Sequence, residues 1–304
     1  MQKLLDRAAN EVGKVLFGKE RQVRLALCCL VSGGHLLLED LPGMGKTTLS
    51  HALAKVLGLQ YRRVQFTSDL LPGDILGASI FDRQSNQFKF LPGPIFTQVL
   101  LADEINRSTP KTQSALLEAM AERQVTIDGQ TRPLPQPFFV IATQNPLTQA
   151  GTFALPESQL DRFLMRLSLG YPDPGAERRL LSGEDVHKQL QQLQQCVSPE
   201  QLQKLQAAVD NIHASEQLID YVQRLIAYTR TEPGFAFGLS PRGALALLRS
   251  AKAWALMSGR GHVVPEDVQT VLPAVVEHRL HADIEHAGDG GALVEQLLRK
   301  VAVL

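Results

Sequence analysis

The chain has little of what marks several protein classes. Its 304 residues include only three cysteines, Cys28, Cys29 and Cys196. They form no spaced Cys-x-x-Cys pair and leave an odd thiol, which argues against a disulfide framework and for a reducing compartment, the cytoplasm. All three read as small buried hydrophobes. Aromatic residues make up 6%, with one tryptophan, too few for a run of stacked bases or a carbohydrate platform. Charge of neither sign is in excess, with 31 Lys plus Arg against 31 Asp plus Glu. No surplus of cations is on hand to neutralise a phosphate backbone, and a dedicated nucleic-acid binder is disfavoured. Long apolar runs are missing too. Leu25–Val31 is far short of the roughly 20 residues that cross a bilayer, and residues 1–24 carry charges throughout, unlike a signal peptide. No membrane insertion is expected.

Hydrophobic residues reach 44%, so a real core is available, and at about 150 residues per domain the length suits two domains. Up to Tyr171 short apolar runs alternate with helical patterns, the signature of an α/β fold with a parallel sheet covered by helices. The expected strands are His35–Glu39, Tyr61–Phe66, Val99–Ala102, Phe138–Ala142 and Leu164–Leu169. The turn-rich run Tyr171-Pro172-Asp173-Pro174-Gly175 marks the boundary, giving domains 1–171 and 172–304. Helix starts dominate the second part: Ser198-Pro199-Glu200-Gln201 and Ser240-Pro241 each combine an N-cap with proline at the first helical position. It is expected to be all helical. The Gln-rich tract Lys188–Gln195 has leucines at a spacing of three and suits an ordinary amphipathic helix.

The first strand runs into Asp40-Leu41-Pro42-Gly43-Met44-Gly45-Lys46-Thr47-Thr48, followed by a helix-compatible segment. Polyphosphate binding needs backbone N–H groups pointing into a concavity, hence glycine, with a cation and a metal-binding hydroxyl. Gly43, Gly45, Lys46 and Thr47 supply these parts. The strict phosphate-loop pattern wants glycine where Asp40 stands, so a turn with an accidental Gly-Lys-Thr stays open on this segment alone. Downstream, Val99–Ala102 reads as a buried strand whose carboxyl end delivers Asp103 and Glu104, and ligands bind at that edge of parallel sheets. Asp103 would hold Mg²⁺ through water, and Glu104 would orient or deprotonate the attacking water, giving hydrolysis. The next strand ends in Thr143-Gln144-Asn145-Pro146, where Asn145 is either a turn residue before proline or a third polar tip that positions water.

With these residues assembled, the sequence resembles the AAA+ ATPases and, within them, the MoxR family. The resemblance covers nearly the whole chain. It rests on Leu38–Thr47, Asp103-Glu104-Ile105-Asn106-Arg107, Ala142–Pro146, Leu155–Phe163 and Ser240-Pro241-Arg242. It implies an AAA+ core with a helical lid, ATP and Mg²⁺ as ligands, Lys46 and Thr47 in Walker A, Asp103 and Glu104 in Walker B, and Asn145 as sensor 1. Phe17 and Gly18 would line the adenine pocket. The implied nucleotide set is Phe17, Gly18, Pro42, Gly43, Met44, Gly45, Lys46, Thr47, Thr48 and Arg242, and the implied metal pair is Thr47 and Asp103.

Arg162 matches the family's arginine finger, which reaches the terminal phosphate held by a neighbouring subunit and acts only in an oligomer. The alternative is a surface arginine paired with Asp161. Arg242 sits in the opening turn of a helix, where a cation opposes the helix dipole; the resemblance makes it sensor 2, the lid's contact with nucleotide, against the alternative of an exposed helix arginine. Two segments interrupt the alternation of strands and helices, about 71–94 and 123–137. Ile75–Phe81 and Gln87–Phe90 flank the polar turn Arg83–Asn86, and Val125–Ile127 precedes Asp128-Gly129, a hairpin signal. In similar proteins such inserts face a central pore and grip a client; otherwise they are surface loops. His281 and Glu285 could share a helical face, but no four-ligand metal pattern is visible and no metal site is assigned there.

These features together point to an ATP-hydrolysing, chaperone-like AAA+ motor, a homo-oligomer expected to be a hexamer, whose nucleotide cycle moves the lid. Its clients would be proteins that need maturation or metal-cofactor insertion, with a von Willebrand factor A domain protein among the implied partners. The alternatives are an AAA+ motor on nucleic acid, a small-molecule kinase and a nucleotide-gated scaffold; neutral charge disfavours the first and Glu104 the other two.

Overall fold

The five expected strands form one parallel sheet, each within two residues of its expected bounds. The computed structural model describes residues 1–145, 152–182, 185–282 and 290–303; Pro146 and the run from Asp283 to His286, with Glu285, lie outside these described residues. Helices α1 (Gln2–Gly13) and α2 (Glu20–Val31) precede strand β1 (His35–Glu39), and α3 (Lys46–Val56) leads on to β2 (Tyr61–Gln65). A short helix, α4 (Pro72–Leu76), opens the hairpin of β3 (Gly77–Asp82) and β4 (Gln87–Pro92). Strand β5 (Val99–Asp103), helix α5 (Pro110–Glu122), the hairpin of β6 (Gln124–Ile127) and β7 (Gln130–Pro133), and β8 (Phe139–Gln144) follow. Helix α6 (Glu157–Leu160) and strand β9 (Phe163–Leu167) complete the sheet, in the order β2-β5-β8-β1-β9.

Burial explains why the runs are apolar. Strands β5 and β8 are buried along their whole length and β1 in all but Glu39, as expected of inner strands covered on both faces. Edge strand β2 is instead half-exposed, which admits Arg62, Arg63 and Gln65. The hairpins form largely as expected. Asp128 and Gly129 take positive φ values of 51° and 74°, the two-residue turn that matches strand twist. The first hairpin begins later than Ile75, because Pro72 and the Asp74 carboxylate, which accepts the Leu71 N–H at 2.8 Å, set a helical turn that takes in Ile75 and Leu76.

The second part contains α7 (Pro174–Leu181), α8 (Val186–Gln192), α9 (Pro199–Asp210), α10 (Glu216–Thr231), α11 (Pro241–Met257), α12 (Pro265–Val276) and α13 (Gly290–Lys300). Ser198 and Ser240 cap α9 and α11 through their hydroxyls. The region is not wholly helical, since β10 (Phe235–Phe237) pairs antiparallel with β11 (His281–Ala282). Pro233 forces the residue before it out of the helical region, and Glu232 ends α10 in extended backbone. His281 therefore lies on a strand and not on the helical face expected for it, with its Nε2 3.4 Å from Glu157. Among the described residues no group of three or more His, Cys, Asp or Glu could hold a metal ion. No helix there is long and apolar enough to cross a membrane.

One apolar cluster runs across the expected boundary at Tyr171. It joins α1, α2, α3 and one sheet face to residues from Leu190 to Val301, and it contains all three cysteines. The other face, with α5 and Val125, has a separate cluster. The turn Glu277–Arg279 clasps the helices to the sheet: Arg279 donates to the Asp161 carboxylate at 2.7 Å and to the Phe163 carbonyl at 2.7 Å, while Arg166 bridges Glu39 and Glu277 at 2.9 and 3.0 Å.

Candidate nucleotide site

The carboxyl ends of β1, β5 and β8 converge on the glycine loop. Gly43 and Gly45 adopt φ values of 85° and 90°, a left-handed conformation that glycine takes without strain. Neither is crowded, since a Cβ at Gly43 would meet nothing within 4 Å. The need is conformational. The loop ends at the N-terminus of α3, where Lys46 and Thr47 are the first two helical residues and free N–H groups favour an anion.

Lys46 is buried, and its ammonium donates to the carbonyls of Asp40 and Leu41 and, at 3.1 Å, to Oδ1 of Asn145. Burial pushes it below the ordinary lysine range, against the upward pull of Asp40, Asp103, Glu104 and Glu39. Asn145 donates in turn from Nδ2 to Oε1 of Glu104 at 3.2 Å. Lysine, amide and glutamate thus form one chain of contacts. Glu104 itself has φ 55°, a strained setting for a side chain-bearing residue. Its other oxygen accepts from Gln65 at 2.8 Å and Arg107 at 3.0 Å. Asp103 accepts the Thr143 hydroxyl on Oδ1 at 2.6 Å and both Nε and Nη2 of Arg63 on Oδ2 at 2.9 and 2.6 Å. Hydroxyl and carboxylate oxygens are the hard donors that suit Mg²⁺, so Thr47 and Asp103 are chemically fit to share one.

Beside the loop, a cavity of about 290 Å³ is lined by Phe17, Gly43, Met44, Gly45, Thr48, Gly170 and other mostly apolar residues. Its apolar walls and its contact with the loop suit a nucleobase. Arg179 covers Phe17, with its guanidinium carbon 3.7 Å from the ring centre. Gly18 has φ 68°, and a Cβ there would strike the Asp173 carboxylate at 2.2 Å. Pro42 lies in the exposed part of the loop.

Asp40, at the position where glycine was expected, has a task of its own. Its Oδ2 accepts the backbone N–H groups of Leu169 and Gly170 at 2.6 and 2.7 Å and the Ser168 hydroxyl at 3.1 Å, tying the loop to the wall of the base cavity.

Arg162 and Arg242 stand apart from this assembly. They line a second cavity, about 380 Å³, with Arg123, Arg249, Arg279 and His35. His35 opens β1 and the glycine loop follows its far end, so this cavity and the loop are separated by the length of a five-residue strand, about 13 Å. Asp161 is engaged by Arg279 and not by Arg162. Neither Arg162 nor Arg242 has a carboxylate partner among the described residues. The structure thus brings Arg242 together with Arg162, not with Lys46 as a lid contact within one chain would require. The reason is the clasp at Arg279, which holds the start of α11 at the other end of the sheet; a Cβ at Gly243 would lie 3.2 Å from the Arg279 side chain.

Sequence reasoning missed Arg63, Gln65, Thr143 and the carboxylate role of Asp40. Arg63 and Gln65 alternate on an edge strand, but what places them at the site is the register of that strand, in which Gln65 pairs with Asp103.

Residues 35–165 match the ATPase family associated with various cellular activities (AAA), and residues 227–299 match the AAA lid domain. The chain is 42% identical to chaperone MoxR1 of Mycobacterium tuberculosis over 91% of this chain and 75% of that protein. It is 31% identical to protein MoxR of Methylorubrum extorquens over 97% and 92%. Among solved structures, that of a Cytophaga hutchinsonii protein described as an inferred ATPase superposes with a TM-score of 0.89 at 38% identity, covering 100% of this chain and 96% of that one.

Proposed function

Because the chain belongs to the MoxR family of AAA+ ATPases, we propose that it hydrolyses ATP with Mg²⁺ as a homo-oligomer, a hexameric ring, and uses the cycle to remodel client proteins in the cytoplasm. Residues 1–171 are the nucleotide-binding part in this reading and 172–304 the lid. The base enters the cavity beside Phe17, Gly18 and Met44. Lys46 and the loop N–H groups take the phosphates. Glu104 accepts the proton of the attacking water, and Asn145, bonded to both Lys46 and Glu104, fixes their mutual orientation. A divalent cation on Thr47 and, through water, Asp103 would offset phosphate charge when bound.

The observation that carries the reading is the separation of Arg162 and Arg242 from Lys46 and Glu104 at opposite ends of the sheet. Two guanidinium groups that share one cavity and have no carboxylate partner among the described residues seek an anion, and a second copy offers one in its bound triphosphate. Both arginines then act on the neighbour's terminal phosphate, an effect of about 10³ to 10⁵ in rate in related chemistry. A solitary chain is an incomplete enzyme.

The chaperone reading follows MoxR1, which is named a chaperone. The β3–β4 hairpin supports client contact, since Phe88 is 74% exposed and packs edge-on against the half-exposed Phe81. A von Willebrand factor A domain protein and a target awaiting metal-cofactor insertion are the client classes proposed. The deciding experiment is ATPase activity against protein concentration for the parent, Lys46→Ala and Glu104→Gln. Specific activity rises with concentration for the parent alone; a rate independent of concentration overturns the split-site reading.

A further inference from the structure

Asp103 is 7% exposed, and such a carboxylate is costly to bury without a counter-charge. Arg63 supplies one in an unusual manner. Its Nε and Nη2 both bond Oδ2 of Asp103, at 2.9 and 2.6 Å, instead of forking across the two oxygens. With the Thr143 hydroxyl on Oδ1, three of the roughly four lone-pair positions of the carboxylate are filled. A cation whose water seeks Asp103 therefore meets a guanidinium already in place.

The two partners differ in freedom. The Asp103 side chain is 10% exposed at the end of an inner strand, whereas that of Arg63 is 50% exposed on edge strand β2, which pairs on its outer side with no strand among the described residues. The carboxylate is fixed and the guanidinium can leave. Among the described residues its only other side-chain hydrogen bond is from Nη2 to Gln65 at 3.0 Å, in the open.

We propose that Arg63 is a positioning residue for the metal site: it holds Asp103 as a resting counter-ion and is displaced when a divalent cation arrives, so that β2 sets how tightly the cation is held. The inference rests on the nucleotide-site reading above. It makes Arg63 a competitor of the metal and not a ligand of nucleotide.

The test is equilibrium binding of Mn²⁺ to the full chain with ADP, with free Mn²⁺ read by electron paramagnetic resonance, so that no turnover is needed. Arg63→Met, which keeps the alkyl stem, tightens Mn²⁺ by about two- to fivefold, the worth of one partly exposed ion pair. Arg63→Lys falls between that variant and the parent. Arg62→Met removes the same charge from the adjacent residue, which among the described residues forms no hydrogen bond or ion pair with Asp103, and moves affinity by less than Arg63→Met does. Metal-free binding of a fluorescent ADP monitors folding in each variant. Equal tightening by Arg62→Met, or weaker Mn²⁺ binding in Arg63→Met, overturns the proposal while leaving the nucleotide site intact. If the parent takes up no Mn²⁺ with ADP, the nucleotide-site reading fails and the role of Arg63 falls with it.

Discussion

Asp40 stands where a phosphate loop ordinarily starts with glycine, and its carboxylate accepts the backbone N–H of Gly170 at 2.7 Å. The same oxygen holds Leu169, so one side chain fixes the spacing between the phosphate loop and the base cavity. Hydrogen bonds to a charged group contribute about 1.5–3 kcal/mol each, with losses shared when they belong to one carboxylate. Asp40→Gly, although it restores the common pattern, is expected to lower stability by about 2–4 kcal/mol in urea unfolding and to weaken nucleotide binding. Asp40→Asn, which keeps one acceptor, should lose about half as much. Unchanged stability in the glycine variant would remove the anchoring role.

Lys46 and Glu104 share Asn145 yet serve different steps, so their variants should separate. Lys46→Ala loses the buried cation and is expected to abolish both nucleotide binding and turnover. Glu104→Gln keeps a side chain of the same shape, and so should bind fluorescent ATP within about threefold of the parent while hydrolysis drops by about 10²–10⁴. Parallel loss of binding in both variants would count against a proton-accepting Glu104.

The split between the two ends of the sheet makes a mixing experiment decisive. Arg162→Ala and Lys46→Ala are each expected to be inactive alone, with Arg162→Ala still binding ATP. Mixed in equal amounts, they should regain a measurable part of the parent rate, because an intact loop on one copy meets an intact Arg162 on the next. Arg242→Ala should behave as Arg162→Ala does. No recovery in any mixture, with assembly verified by light scattering, would mean that the arginines act within their own chain.

Two buried histidines give stability a pH dependence. His35 accepts the Val140 N–H on Nδ1 at 2.9 Å and faces the Met120 carbonyl with Nε2, and burial lowers its pKa to about 4. His278 is pushed well below the ordinary range by burial and by Arg279. Unfolded, each titrates near 6.5. The unfolded chain thus takes up protons that the folded chain refuses, so stability is full above about pH 6.5 and falls as the pH drops towards 4. His35 alone accounts for a loss of about 3 kcal/mol across that window. Urea midpoints at pH 7.5, 6 and 5 should decline, and His35→Asn, weaker at pH 7.5, should show a shallower decline. A flat profile in the parent would contradict the buried, neutral state of His35.

The sheet was legible because inner strands covered on both faces must be apolar, and Val99–Ala102 and Phe138–Ala142 could hardly be anything else. The glycine loop was legible because Gly43 and Gly45 are backbone requirements written directly as residues. Arg63 was not, because its meaning depends on the register of β2 against β5, which no local pattern reveals. Arg242 was legible as an anion-seeking residue but not by location: a helix start announces its cap and its charge, while the end of the sheet it meets is decided by the distant turn Glu277–Arg279. The ribbon of β10 and β11 was hidden for a similar reason, being three residues on one side and two on the other.

The apolar cluster that joins Leu5, Val12 and Leu27 to Leu247, Val271 and Leu297 has a practical consequence for dissecting the chain. A fragment cut after Tyr171 would strip the opening helices of their cover, and the complementary fragment would lose the floor on which it rests. Co-expressed as separate polypeptides, the halves should be recovered only when they reassociate, and a soluble helical module would have to carry Gln2–Val31 grafted onto it.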